Sequence, residues 1–248
     1  MKNARADWLF LDFDGVICDS LEECYRSSWL AHSDAEISED HVQQPPFKKR
    51  YRDQFISCRP FIRSGEDYLA VHELLSKGSV PSSQTEFDAK LIAIGQQKLD
   101  DWKVRLYKVR ELLLEHHREL WLSWNPLYAP MKRLLPQLCG HGKVRILSTK
   151  KAEFIHDILV YQNIEWPLER IVYSGSRSKL EYIAQISGKE RSLFIDDQIE
   201  HLDFFHSSCD SRLALWGYVT EESRLRASKT LNLGDLAQVL KPWAMATI

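Results

Sequence analysis

What is scarce in this chain of 248 residues narrows its possibilities before anything present does. Cysteine is sparse: Cys18, Cys24, Cys58, Cys139 and Cys209 are scattered, odd in number and without C-x-x-C spacing. That argues against a disulfide framework or a cysteine zinc site and points to a reducing compartment. Neither sign of charge is in excess, with Lys+Arg 33 against Asp+Glu 35 and a net charge of −2. A global affinity for nucleic acid is therefore not indicated, and any such binding would need a local patch. No apolar run approaches the roughly 20 residues that a membrane helix requires. The opening "MKNARADW" reaches Asp12 and Asp14 too soon for the apolar region of a signal peptide. Glycine numbers only 10, and there is no internal repeat or low-complexity tract. The expectation is an ordinary globular protein of the cytoplasm, a monomer or homodimer, in one large domain or two smaller ones.

What is present falls into two kinds of text. Short β-branched or aromatic runs bounded by turn residues read as strands: "WLFLDF" (8–13), "KVRILS" (143–148), "RIVYS" (170–174), "SLFIDD" (192–197) and "RLALWG" (212–217). Helix-like segments lie between the later runs, among them "KAEFIHDILVYQN" and "KLEYIAQISG", with Gly188 placed to cap the second. Strands alternating with single helices predict a doubly wound, Rossmann-like parallel α/β sheet. From Leu21 to Trp124 no convincing strand occurs. Phe87, Leu91, Ile94, Leu99, Trp102, Leu106, Val109, Leu113, Leu120 and Trp124 recur at helical spacing, with Lys, Arg and Glu on the opposite side and Gly95 as a candidate kink. The sequence thus predicts an all-helical insert, residues 19–126, within a core made of 1–18 and 127–248. "WNPLYAP" marks the return to that core.

The first strand carries the most informative anomaly. Asp12 and Asp14 end an apolar run, although a carboxylate buried without a partner is costly. In a doubly wound sheet, ligands bind beyond the carboxyl ends of the strands, where these residues would stand. Gly15 then frees the backbone for a tight turn. A divalent cation would make the buried pair favourable, and oxygen-only ligation suits Mg²⁺. One carboxylate could also attack phosphorus as a nucleophile. Other strand ends offer matching parts. Ser148 and Thr149 can hold a phosphoryl oxygen, Lys179 at a helix start can balance negative charge, and Asp196 with Asp197 can complete a metal site. Each is ambiguous alone: Ser148 or Thr149 would be a cap, and Lys179 a solvated residue with Arg177 or Lys150 as alternatives.

Together, "DFDGV", Ser148, Lys179 and Asp196–Asp197 resemble the four motifs of the haloacid dehalogenase superfamily, in their usual order and spacing. The insert after the first motif is similar to that family's helical C1 cap. The resemblance implies hydrolysis of a small phosphorylated metabolite: Asp12 attacks phosphorus, Asp14 protonates the leaving oxygen and later activates water, and Mg²⁺ with Lys179 stabilises charge. It implies Asp12, Asp14, Asp197 and Asp196 around the metal. The second Asp of the first motif favours a phosphatase over a dehalogenase, since carbon–halogen cleavage needs no leaving-group acid. The fourth motif departs from G-D-x-x-x-D, with Asp196 in the Gly place and His201 where the last Asp would fall; Asp197 is favoured as the metal-touching residue. The alternatives are a phosphomutase on the same scaffold, or a non-catalytic binding module using the basic stretch "KKRYRDQFISCRPFIRSGED". Within that stretch Arg59 or Arg63 is the candidate contact to an anionic part of the substrate.

Overall fold

The computed structural model describes residues 6–33, 37, 41–42, 49–175 and 177–244; "QQPPF" at 43–47 and Lys48 of the basic stretch lie outside them. The chain divides into two compact units, residues 1–19 with 126–248, and residues 20–125. The first is built on a sheet of β1 (Trp8–Leu11), β2 (Val144–Ser148), β3 (Ile171–Tyr173), β4 (Ser192–Asp196), β5 (Cys209–Ala214) and β6 (Thr230–Leu231). Their order is β3-β2-β1-β4-β5-β6, with parallel pairing throughout. Parallel strands are covered on both faces, which is why β1 and β4 read as nearly continuous apolar text. Phe10 pairs with Phe194 in register, and both join Leu147, Ile183 and Cys209 in one buried cluster.

This strand order places the switch point between β1 and β4, from which the connections run to opposite sides of the sheet. Leu11 registers with Ile195, and the Asp12 N–H donates to the Ile195 carbonyl at 3.0 Å. The ladder therefore continues one residue past β1 and sets Asp12 beside Asp196. Two elements differ from the expectation. β5 begins at Cys209, where Ser211 is buried while Asp210 and Arg212 are partly exposed and pair at 2.9 Å, and it stops at Ala214. An apolar criterion misses such a polar-flanked start. β6, of two residues, is too short to leave a pattern.

The second unit is helical among its described residues: Leu21–Ser33, Lys49–Cys58, Gly65–Ser76, Gln84–Ile94, Gln96–His116 and Arg118–Ser123, with a 3-10 turn at Arg59–Phe61. The long periodic stretch is interrupted where Gly95 adopts φ +90°, a conformation other residues rarely take. Phe87, Leu99, Trp102, Leu106, Val109 and Leu113 are buried as their spacing requires. Arg110 is buried too, against expectation, and forms a two-pronged ion pair with Glu23 at 2.7 and 2.9 Å.

His72, fully buried, has both ring nitrogens engaged at 2.9 Å, Nε2 with the Ser28 hydroxyl and Nδ1 with that of Tyr51. Phe55 stacks on its ring at 4.9 Å. Burial, with a smaller contribution from His32, pushes the His72 imidazole down from 6.5 to about 3. A group depressed on folding takes up its proton in the unfolded chain first. Stability is therefore lost as pH falls below about 6.5 and continues to fall toward about 3, by about 1.4 kcal/mol per pH unit from this one group. His72→Gln, which has no titrating ring, flattens that part of the acid dependence. Urea unfolding of both proteins at pH 7 and pH 5 measures it, and equal pH dependence would overturn it.

Candidate active site

Beyond the ends of β1 and β4, three buried carboxylates converge. Asp12, Asp196 and Asp197 each offer an oxygen within 4.8 Å of the others. Lys179 enters from the start of the helix Lys179–Ser187 and reaches Asp12 Oδ1 and Asp196 Oδ2, both at 2.8 Å. Asp196 also accepts from the Gln198 N–H at 2.8 Å and contacts His201 Nδ1 at 3.0 Å. Asp197 Oδ2 accepts the Tyr218 N–H at 2.7 Å, and the Tyr218 hydroxyl donates to Asp19 at 2.8 Å.

The charges respond to this crowding. Burial raises the Asp12 carboxyl above its usual range, and Asp196 adds to that rise while Lys179 opposes it. Asp196 is equally buried, yet Lys179 and His201 hold it well below the carboxylate range. Burial works against the Lys179 ammonium, but Asp12 and Asp196 hold it above its usual range. Three carboxylates thus face one ammonium, and the sum is negative. An all-oxygen donor set with surplus negative charge fits a hard divalent cation.

Two glycines make room for the cluster. Gly15 has φ +83°, and a Cβ there would collide with the Asp197 carboxylate. A Cβ on Gly217 would strike Asp197 and the Gly15 carbonyl. The sequence pointed to Gly15; Gly217 follows β5 and was not distinguishable from an ordinary turn residue.

Asp14, expected among the metal ligands, is not in the three-carboxylate group. Its Oδ1 is held by Lys150 Nζ at 2.9 Å, and Lys150 is only 3 % exposed. The structure therefore separates the lysine candidates. Lys179 serves Asp12 and Asp196, Lys150 serves Asp14, and Arg177 pairs on the surface with Glu181 at 2.8 Å. Ser148 closes β2; its Oγ accepts the Lys150 N–H at 3.3 Å, and its carbonyl accepts from the Ser174 N–H at 2.9 Å. Thr149 follows it, half-buried, at the same strand end.

Arg59 and Arg63 are not on one helical face, because Pro60 places Arg59 in the 3-10 turn and Arg63 beyond it. Arg59 is buried in the helical unit with its guanidinium 5.3 Å from the Tyr68 ring centre. Arg63 pairs with Asp88. The folded unit thus gives both charges an internal contact, Arg59 with the Tyr68 ring and Arg63 with Asp88. His201 stood out in the sequence only as a misfit to a motif. Its partner Asp196, five residues earlier, is brought to it by the 3-10 turn Ile199–His201.

No protein-family model and no curated protein sequence matches the chain. Solved structures do. A predicted phosphoglycolate phosphatase from Haemophilus somnus is similar with a TM-score of 0.57 at 14% identity, over 96% of this chain and 99% of that one. A haloacid dehalogenase-like hydrolase from Streptococcus pneumoniae gives 0.56 at 11% identity, over 96% and 98%. Protein tyrosine kinase A from Mycobacterium tuberculosis gives 0.50 at 17% identity, over 96% and 99%. At these identities the likeness establishes the fold alone, the α/β fold that the chain shares with these neighbours.

Proposed function

We propose that this chain is a divalent-metal-dependent phosphatase that hydrolyses a small phosphorylated metabolite through an aspartyl-phosphate on Asp12. The carrying observation is the pairing of two carboxylates two residues apart with separate lysines, one in a three-carboxylate cluster and the other outside it. In this reading Asp12, oriented by Lys179 and by its own N–H bond to Ile195, attacks phosphorus. Asp14 gives its proton to the leaving oxygen, then takes one from the water that opens the acyl-phosphate. Ser148, Thr149 and the Gly15 turn receive the phosphoryl oxygens, with Lys179 offsetting their charge. Asp12, Asp196 and Asp197 would hold Mg²⁺, which supplies further charge neutralisation at the phosphoryl group.

A panel of phosphate monoesters that includes phosphoglycolate, assayed for released inorganic phosphate with Mg²⁺, tests the reading. Turnover is the expected result. Transfer of the phosphoryl group to a second hydroxyl, without release, would make the chain a mutase instead; no turnover across the panel would leave a binding module.

The metal assignment has its own test. Both oxygens of Asp196 are already engaged by Gln198, Lys179 and His201, so Asp197 carries more of the metal contact. Isothermal titration with Mg²⁺ should show Asp197→Asn weakening affinity by about tenfold or more, and Asp196→Asn by less. The reverse order would exchange the two roles. Mg²⁺ should also raise the melting temperature of the wild type and chelator lower it, because binding to the folded state alone stabilises it.

A further inference from the structure

Lys179 and Lys150 stand beyond the carboxyl ends of the strands, and a second group of charges stands toward the opposite ends of the same sheet. Arg191 directly precedes β4, Lys229 directly precedes β6, and Asp210 and Arg212 lie in β5. All four line one open cleft of about 920 Å³, within the range of about 300–1,000 Å³ usual for small-molecule sites. The length of β4 leads from Arg191 to Asp196, roughly 16 Å of extended chain, so the cleft is distinct from the candidate active site. Its charges do not cancel. Asp210 meets Lys229 Nζ at 2.8 Å and Arg212 Nη2 at 2.9 Å. Among the described residues, three cations line the cleft with one carboxylate, a surplus of two positive charges. His206 adds a donor: its Nδ1 accepts the Ser208 and Cys209 N–H groups at 3.3 and 3.2 Å, so the neutral ring carries its proton on Nε2. Leu193, Val239, Pro242 and Trp243 supply apolar walls. The Trp243 ring is held in place, since its indole N–H donates to the Asp7 carbonyl at 3.1 Å.

We infer that this cleft is a second binding site, which takes a phosphate monoester with an apolar or aromatic body. A phosphate monoester carries nearly two negative charges at neutral pH and three strong acceptor oxygens, which match the surplus. A single carboxylate would leave half of that surplus uncompensated. The guanidinium forks of Arg191 and Arg212 suit phosphate oxygens, and the apolar walls suit the body of the ligand. Asp210 holds Arg212 and Lys229 side by side, so two of the cations are gathered before a ligand arrives. The inference stands apart from the hydrolytic reading: nothing is cleaved here, and none of these residues belongs to the proposed chemistry.

Isothermal titration with phenylphosphonate tests it, because the bond from phosphorus to carbon resists hydrolysis. The titration is run at pH 8, where the probe is a dianion. Chelator is present, so that the three-carboxylate cluster keeps its negative charge and repels the probe. One saturable equivalent is expected. Arg191→Met and Arg191→Glu should each weaken its binding by about tenfold or more, and Arg191→Lys should recover part of the loss. Arg191 is exposed, so these variants should fold and melt as the wild type does. Methylphosphonate lacks the ring, and benzoate has the ring with one charge; each should bind at least about fivefold more weakly than phenylphosphonate. No saturable binding, or binding unchanged by Arg191→Glu, overturns the site. Affinity for methylphosphonate or benzoate equal to that for phenylphosphonate overturns the ligand class. Since no titration requires turnover, the outcome is read separately from the phosphate-release panel.

Discussion

Asp12→Asn should yield a folded protein that no longer releases phosphate from any ester the wild type hydrolyses. The substitution changes one oxygen to an amide nitrogen at a residue 5 % exposed, so volume and packing are kept. Its main-chain N–H still donates to the Ile195 carbonyl, and Lys179 retains Asp196 at 2.8 Å. The buried carboxylates decrease from three to two facing the same ammonium, which relieves the repulsion that Asp196 exerts on Asp12. Stability should therefore be equal to wild type or higher without metal. Chemistry should be lost by about three orders of magnitude or more, because an amide cannot act as the nucleophile toward phosphorus. Released phosphate measured beside circular dichroism and a thermal melt separates the two effects. Substantial turnover by a well-folded Asp12→Asn protein would rule out the covalent mechanism.

Arg110→Met should strongly destabilise the helical unit. It leaves Glu23, wholly inaccessible to solvent, with an uncompensated charge. Arg110 now meets that carboxylate through Nε at 2.7 Å and Nη2 at 2.9 Å, the planar fork that lysine cannot reproduce. Breaking a buried pair by removing one partner costs about 3–5 kcal/mol, since the remaining ion keeps its desolvation penalty and loses its partner. Removing both charges is a different matter. Glu23→Leu with Arg110→Met restores an apolar interior, and its stability should return to within about 2 kcal/mol of wild type. Urea unfolding of the single and double variants measures this. A single variant that loses less than about 1 kcal/mol would show that the pair is hydrated in solution and carries little energy.

Asp12 was legible because its anomaly is local. A carboxylate at the end of "WLFL" contradicts the burial that the same run demands, and only a ligand or a counterion resolves it. The parallel sheet was legible for a similar reason: strands covered on both faces write themselves as apolar runs, and helices as runs with period 3.6. That periodicity foretold that Leu106 and Leu113 are buried; it had no means of doing so for Arg110, which occupies an inward position with a polar residue. The same limit explains why β5 was shifted toward its apolar end, past Cys209 and Ser211.

The composition and the order of strands and helices were thus determined by the sequence through short-range preference: which residues leave water, and with what period. Partners of charges were decided by the tertiary structure alone. Glu23 finds Arg110 across 87 residues, and Asp14 finds Lys150 across 136. Arg63, which the sequence offered as a contact for a ligand, pairs with Asp88 in the fold. The physical reason is that burial leaves a pattern along the chain, because every residue on a buried face must be apolar. A buried charge needs a single complementary group at about 3 Å, and nothing in its own neighbourhood of sequence specifies where that group comes from.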